Sequence, residues 1–334
     1  MTDTPNPAPA APGAQSDAGH SRLSHFPITF FAVVMGLMGL TLALHGAHQV
    51  LPWAGPLGQG VMYAATAVFV VIIGFYGAKI LRHPGAVRGE WGHPVRLAFF
   101  PAVSVSLLLT ATAYYALDPA ISRVLWILGA AGQGVLTIAV VSGWISHRSF
   151  EVGHLTPAWF IPAVGNVIVP VVGVRLGYIE LSWLFFSAGV MFWIVLLTLV
   201  MNRLVFHNPI PARLFPTLVI LIAPPAVAFV AYYQLVGQVD TFGHILLNVA
   251  YVFALLVLVQ VPKLLRLPFA LSWWALSFPV AALTIASFLY ARVAQSGGHL
   301  VIAYLALAAL AVIIVGLVAR TLMAIAKGEI CQPE

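Results

Sequence analysis

The residues of this 334-residue chain that could do chemistry are few, and their spacing works against most chemistries. A metal site draws three or four His, Cys or carboxylate ligands together. The nearest approach is His45 and His48, one helical turn apart, with no third ligand in reach of the pattern. All eleven histidines lie between apolar runs or at their ends, so axial ligands for a membrane haem are missing. A Schiff-base cofactor would need a lysine inside a run, and none is there. The lone cysteine, Cys331, stands near the C-terminus without a partner. No nucleophile–base pair, phosphate-binding glycine loop or carboxylate dyad occurs in an apolar segment. Asp118, Glu180 and Asp240 fall between segments and read as solvated loop residues. These absences argue against an enzyme, and the expected cofactors and metals are none.

What remains is the apolar scaffold itself. Hydrophobic residues make up 61% of the chain and charged residues 7%, against roughly 25% charged in a soluble domain. Mean hydropathy is +1.01. Basic residues are strung between apolar runs instead of clustered, so the excess of positive charge does not point to nucleic acid. The expected class is an all-α integral membrane protein in a lipid bilayer. About 20 apolar residues cross the hydrocarbon as a helix, and ten uncharged stretches reach about that length. They are Ile28–Ala47, Leu57–Ala78, Leu97–Leu117, Val124–Ile145, Thr156–Val174, Leu181–Asn202, Leu214–Val239, Thr241–Pro262, Leu267–Ala291 and Leu300–Ala319. Their apolarity is continuous, without the two-residue alternation of a membrane strand. The expected organisation is a disordered tail at 1–25, a ten-helix transmembrane domain at 26–326 and a C-terminal tail at 327–334. The N-terminal tail lacks the apolar core of a cleaved signal peptide.

Twelve Lys and Arg fall on the side of the two termini and three (Arg123, Arg175 and Arg292) on the other. The positive-inside rule therefore puts both termini in the cytoplasm of a cell with this chain in its inner, or plasma, membrane. Proline divides the helices further. The odd-numbered ones contain Pro101, Pro162, Pro170, Pro216, Pro224, Pro225 and Pro279, whereas Pro119 and Pro262 only flank even-numbered ones. Proline bends a helix and frees a carbonyl, which in a membrane must be buried in protein or face a watery cavity. Odd helices begin 55 to 68 residues apart, as in five repeated hairpins. The expected architecture is an inner ring of kinked odd helices around a pore, enclosed by an outer ring of straight even helices.

Several stretches carry a resemblance: FPITFFAVVMGLMGL from Phe26, HPVR at His93–Arg96, TPAWFIPAVGN from Thr156, WLFFSAGVMFW from Trp183, APP at Ala223–Pro225 and WALSFP at Trp274–Pro279. Together, in this order, they resemble the tellurite-resistance/dicarboxylate transporter family, which includes the slow anion channel of plant guard cells. The likeness runs from about Phe26 to Lys327. It implies a homotrimer with a pore in each subunit, carrying small inorganic or organic anions. It also implies a phenylalanine plug at mid-membrane, which falls on Phe278, and a glycine making room for its ring, which falls on Gly36. The first helix reads Val33-Val34-Met35 where relatives can have a proline, so a smaller bend is expected there.

An anion conduit needs a source of positive potential. Helix N-termini beyond each bend supply one. Arg88, Arg96 and Arg213 would concentrate anions at the cytoplasmic mouth. Ser104, Ser106, Asn166, Ser277 and Thr284 are the neutral polar side chains on odd helices that could donate hydrogen bonds to a passing anion. The function expected is transport of small anions through a phenylalanine-gated pore. The alternative is a proton-linked or efflux carrier of C4-dicarboxylate, sulfite or tellurite anions.

Overall fold

The computed structural model describes residues 22–146 and 150–332, all-helical with no strand among them. The expected tail therefore lies outside the described residues up to residue 21, and Arg22–His25 already form a turn of 3-10 helix. Arg148, counted among the basic residues above, is also outside them. Among the described residues nine segments are long and apolar enough to cross a membrane: Ile28–Ala47, Ala54–Arg82, Arg96–Tyr114, Pro119–Ser146, Ile179–Phe206, Phe215–Val236, Thr241–Leu264, Leu271–Val293 and Gly297–Ala326. A shorter apolar run, Pro157–Gly173, stands between the fourth and fifth of these. It occupies the place of the expected fifth span, so the ordinals first to tenth are kept, with Pro157–Gly173 as the fifth.

Odd and even spans differ in burial. The share of buried residues is 67% to 89% for the first, third, seventh and ninth spans, but 28% to 33% for the even ones. Leu184, Val259 and Val312 on even spans show large apolar side chains outward, the surface that hydrocarbon solvates at no cost. Odd spans pack in a cycle: first on third, third on fifth, fifth on seventh, seventh on ninth, and ninth back on first. Each even span lies against the odd span before it.

The odd spans also share a backbone device that even spans lack. Each begins as 3-10 helix and continues as α-helix: Ile28–Phe30 into Phe31–Ala47, Arg96–Phe99 toward Ala102–Tyr114, Phe215–Ile222 into Ala223–Val236, and Leu271–Leu276 into Ser277–Val293. The fifth alternates twice, through Pro157–Trp159, Phe160–Val164, Gly165–Ile168 and Val169–Gly173. The prolines mark these joints. Pro101 is the N-cap of its α-segment, Pro170, Pro224 and Pro225 lie in the first two or three positions of theirs, and Pro279 is third in its own. Pro162 is third in Phe160–Val164, and Pro216 second in its 3-10 run. The first N–H of the α-segment still bonds back into the 3-10 run, as from Ala223 to the Ile220 carbonyl and from Ser277 to the Trp274 carbonyl, and the proline that follows interrupts this ladder. The prolines thus stand at junctions between two helix types within each odd span. Pro262 is corrected: it lies inside the eighth span, near its end.

The broken fifth span has carbonyls to satisfy, and the fourth span supplies donors. Gln133 Nε2 and Thr137 Oγ1 both donate to the Pro162 carbonyl, at 3.0 and 2.7 Å, and Trp126 Nε1 donates to the Val169 carbonyl at 2.9 Å. An irregular backbone at membrane depth is tolerated where protein donors meet it in this way.

Between the second and third spans a short helix, Pro84–Gly92, buries Glu90 against Lys79 of the second span, Nζ to Oε2 2.9 Å. Lys79 Nζ also donates to the Phe26 carbonyl (2.8 Å), while Glu90 accepts from the Tyr76 hydroxyl (2.9 Å) and the Ile28 N–H (3.3 Å). The pair pins the entry of the first span. Sequence reading treated Lys79 only as a cytoplasmic charge, and it is 1% exposed. Close by, the Arg22 guanidinium lies against Gly328, so the two ends of the described chain meet on one face.

Candidate functional site

Two cavities lie along the axis enclosed by the odd spans. The larger, about 670 Å³, is lined toward the C-terminal ends of those spans, by residues such as Leu42, Leu109, Val171, Val230 and Leu289. The smaller, about 60 Å³, is lined toward their N-terminal ends, by Ala32, Phe99, Phe160, Ile220 and Trp274 among others. Three residues line both: Ile168 of the fifth span, Val227 of the seventh and Phe278 of the ninth. All three stand at or just past a 3-10-to-α joint. The joints therefore carry the side chains that separate the cavities. Phe278 is 9% exposed, and its ring is the largest of the three.

The first span presents two glycines to the ninth. A Cβ at Gly36 would come within 2.8 Å of Ser277 Cβ and 3.0 Å of the Trp274 ring. A Cβ at Gly39 would come within 2.8 Å of Ala281 Cβ and 3.5 Å of Phe278 Cδ2. Gly39 thus stands against the Phe278 ring, while the nearest neighbours of Gly36, the glycine expected to make room for it, are Ser277 and Trp274. The two glycines are one helical turn apart on the same face.

None of the five neutral polar residues singled out in the sequence lines either cavity. Ser104, Ser106, Ser277 and Thr284 donate to carbonyls three or four residues back, those of Pro101, Ala102, Trp274 and Val280. Ser104 also donates to Gln133 Oε1 at 2.7 Å. Asn166 Nδ2 donates to Thr137 Oγ1 and to the Ala163 carbonyl. These side chains join helices to one another. Burial in hydrocarbon-like surroundings makes a local carbonyl the partner always within reach.

Arg88, Arg96 and Arg213 lie at the N-terminal ends of odd spans or in the helix before one, outside both linings. The smaller cavity has no charged side chain in its wall. The wall of the larger holds His45, Gln49, Gln234 and two arginines, Arg175 and Arg292, with no carboxylate. Those arginines come from the side that the charge count left nearly bare, and only the count of three hinted at them.

Two of the three carboxylates on that side, Asp118 and Asp240, are engaged. Asp118 accepts from the N–H groups of Ala120 and Ile121, at 2.8 and 3.1 Å. Asp240 caps the eighth span, accepting from the Tyr232 hydroxyl at 2.6 Å and the Gly243 N–H at 3.0 Å. The Tyr232 hydroxyl, and after it the Gly243 N–H, hold its carboxyl below the usual carboxylate range. Both stand in loops, as expected, and both also act as helix caps.

Residues 25–322 match the family described as SLAC1, voltage-dependent anion channel. The chain is similar to the tellurite resistance protein TehA homolog of Haemophilus influenzae, 28% identical over 259 residues, covering 77% of this chain and 79% of that one. It is 28% identical over 284 residues to the S-type anion channel SLAH3 of Arabidopsis thaliana, covering 82% of this chain but 44% of the plant protein. An uncharacterized transporter of Methanocaldococcus jannaschii, MJ0762, is 24% identical over 284 residues, 78% of this chain and 83% of its own.

Proposed function

The chain belongs to the SLAC1 family of voltage-dependent anion channels, and from that premise we propose that it passes small anions along the axis of its odd spans, with Phe278 closing the path. Its family is one of channels and transporters, not of enzymes. The observation that carries the reading is the Phe278 ring lying, with Ile168 and Val227, between two cavities that the same five spans line, the tenth adding Gly297 and Leu300 to the larger. A phenyl group in a narrow apolar passage obstructs ions by bulk and by dewetting. The 3-10-to-α joints supply a further element, since α-segments start at the constriction and their N-terminal ends favour negative charge.

The termini are read as cytoplasmic on the bias of basic residues, and the assembly as a homotrimer on the resemblance. The test is flux. Purified protein in liposomes, wild type beside Phe278→Ala, is given a gradient of nitrate or chloride. The variant is expected to carry anions faster than wild type. Equal rates in the two proteins would remove Phe278 as the obstruction, and a reversal potential that does not move with pH separates a channel from a proton-linked carrier.

A further inference from the structure

We infer that the larger cavity is a vestibule that captures planar oxyanions, such as nitrate or a carboxylate, on Arg175 and Arg292 before they meet the constriction. The inference rests on the transport reading above for its purpose, but the site stands on its own geometry. Both arginines line the cavity, and no carboxylate shares that wall. Among the described residues neither arginine forms a salt bridge. Of the acidic residues of that face, Asp118 and Asp240 are occupied with helix N-termini as described, and Glu180 lies in the first turn of the sixth span, outside the cavity wall. The two cations thus share their wall with no counter-charge, in an otherwise largely apolar hollow.

Both stand at the C-terminal ends of their spans. Arg292 and Phe278 share one α-helix, fourteen residues apart, so roughly 21 Å of helix separates them at 1.5 Å per residue. Arg175 lies two residues past Gly173, the end of the fifth span, in the exposed turn that leads to the sixth. A low-dielectric wall focuses such charges and raises the local concentration of anions.

Arg175 is also held in place. The Tyr115 ring lies 5.6 Å from its guanidinium carbon, and the Tyr115 hydroxyl donates to the Arg175 carbonyl at 3.3 Å. Stacking on an aromatic face orients the planar group without using its N–H donors. Those donors stay free for two oxygens of one anion, a fit that a spherical halide does not offer. Gln49, Gln234 and Gln295 in the same wall add amide donors.

Site-resolved arginine labelling tests this on the wild-type protein. Phenylglyoxal modification of Arg175, Arg292 and Arg123 is followed by mass spectrometry as nitrate or chloride is added. Arg123 is exposed on the same face but outside the cavity, so it reports ionic strength alone. Nitrate is expected to slow labelling of Arg175 and Arg292 several-fold relative to Arg123, and chloride less. No slowing relative to Arg123, or equal slowing by both anions, overturns the site. In liposomes, Arg175→Gln and Arg292→Gln should raise several-fold the nitrate concentration for half-maximal flux from the vestibule side only, with Lys variants in between. Protection of the arginines in a protein that carries no nitrate would keep the site and remove the transport reading. Nitrate flux with unprotected arginines would do the reverse.

Discussion

Gly39 of the first span and Ala281 of the ninth approach so closely that a methyl group at Gly39 would lie 2.8 Å from Ala281 Cβ, with the Phe278 ring 3.5 Å away. Gly39→Ala must therefore push the two spans apart and is expected to destabilise by about 1–3 kcal/mol, the cost of overpacking. Gly74 on the second span has no neighbour within 4 Å, so Gly74→Ala should stabilise by about 0.5–1 kcal/mol through helix propensity. Thermal unfolding of the two variants in one detergent gives the comparison, and the same sign for both would contradict the close packing.

Ile168 and Val227 share the constriction with Phe278 but offer smaller side chains. Ile168→Ala and Val227→Ala should each raise anion flux by less than Phe278→Ala does. Combined with Phe278→Ala, either should add little, because the ring is the main obstruction. Liposome flux on wild type, the three single variants and the two double variants decides it.

The Lys79–Glu90 pair is buried at both ends. Lys79→Met leaves Glu90 uncompensated and is expected to cost about 3–5 kcal/mol, whereas Lys79→Met with Glu90→Gln should cost much less. Chemical unfolding monitored by tryptophan fluorescence separates the two. A double variant as unstable as the single one would show that the ion pair itself, not the lone charge, is what matters.

Gln133 receives a hydrogen bond from Ser104 and gives one to the Pro162 carbonyl. Gln133→Leu leaves the Ser104 hydroxyl its Pro101 acceptor and the Pro162 carbonyl its Thr137 donor. The expected loss is therefore near the lower end of about 1–3 kcal/mol for a broken buried polar contact. Adding Thr137→Val removes the second donor and should cost more than the sum of the separate changes, as read in a double-mutant cycle of unfolding energies.

Cys331 is half-buried, and burial pushes its thiol above the ordinary value, against the lowering influence of Lys79 and Arg22. The thiolate is the reactive form. Alkylation by iodoacetamide should be slow at neutral pH and keep rising through and beyond the ordinary thiol range. A rate that levels off near pH 8 would mean the thiol is not shielded.

How much could be read beforehand follows from what is local. Run length and apolarity are local, so the spans were visible, as was the split that proline makes between odd and even ones. What Pro224 or Pro279 does was less visible, because a proline in the first turn of an α-segment and one in mid-helix look alike until the 3-10 stretch before it is seen. Gly36 and Gly39 differ by one turn on the same face, and only the position of Ser277 and Phe278 opposite tells them apart. Ser104, Ser106 and Thr284 were polar on the right spans, but their hydroxyls turn back to their own helices. Arg175 and Arg292 were in plain view as two of three basic residues on a sparse face. That they share one hollow depends on the fifth and ninth spans meeting, which no single segment encodes.

The fifth span is the shortest, yet seven of its seventeen residues are 3-10. At about 2.0 Å per residue in those turns and 1.5 Å elsewhere, it extends roughly 29 Å, close to the roughly 30 Å of a bilayer's oily interior. Tighter winding is here a way of stretching: a segment too brief for its task as a regular coil gains length by being wound thinner. Deleting a residue from that segment would then have no slack to absorb it, whereas the long even helices, with turns to spare, could lose one at an end.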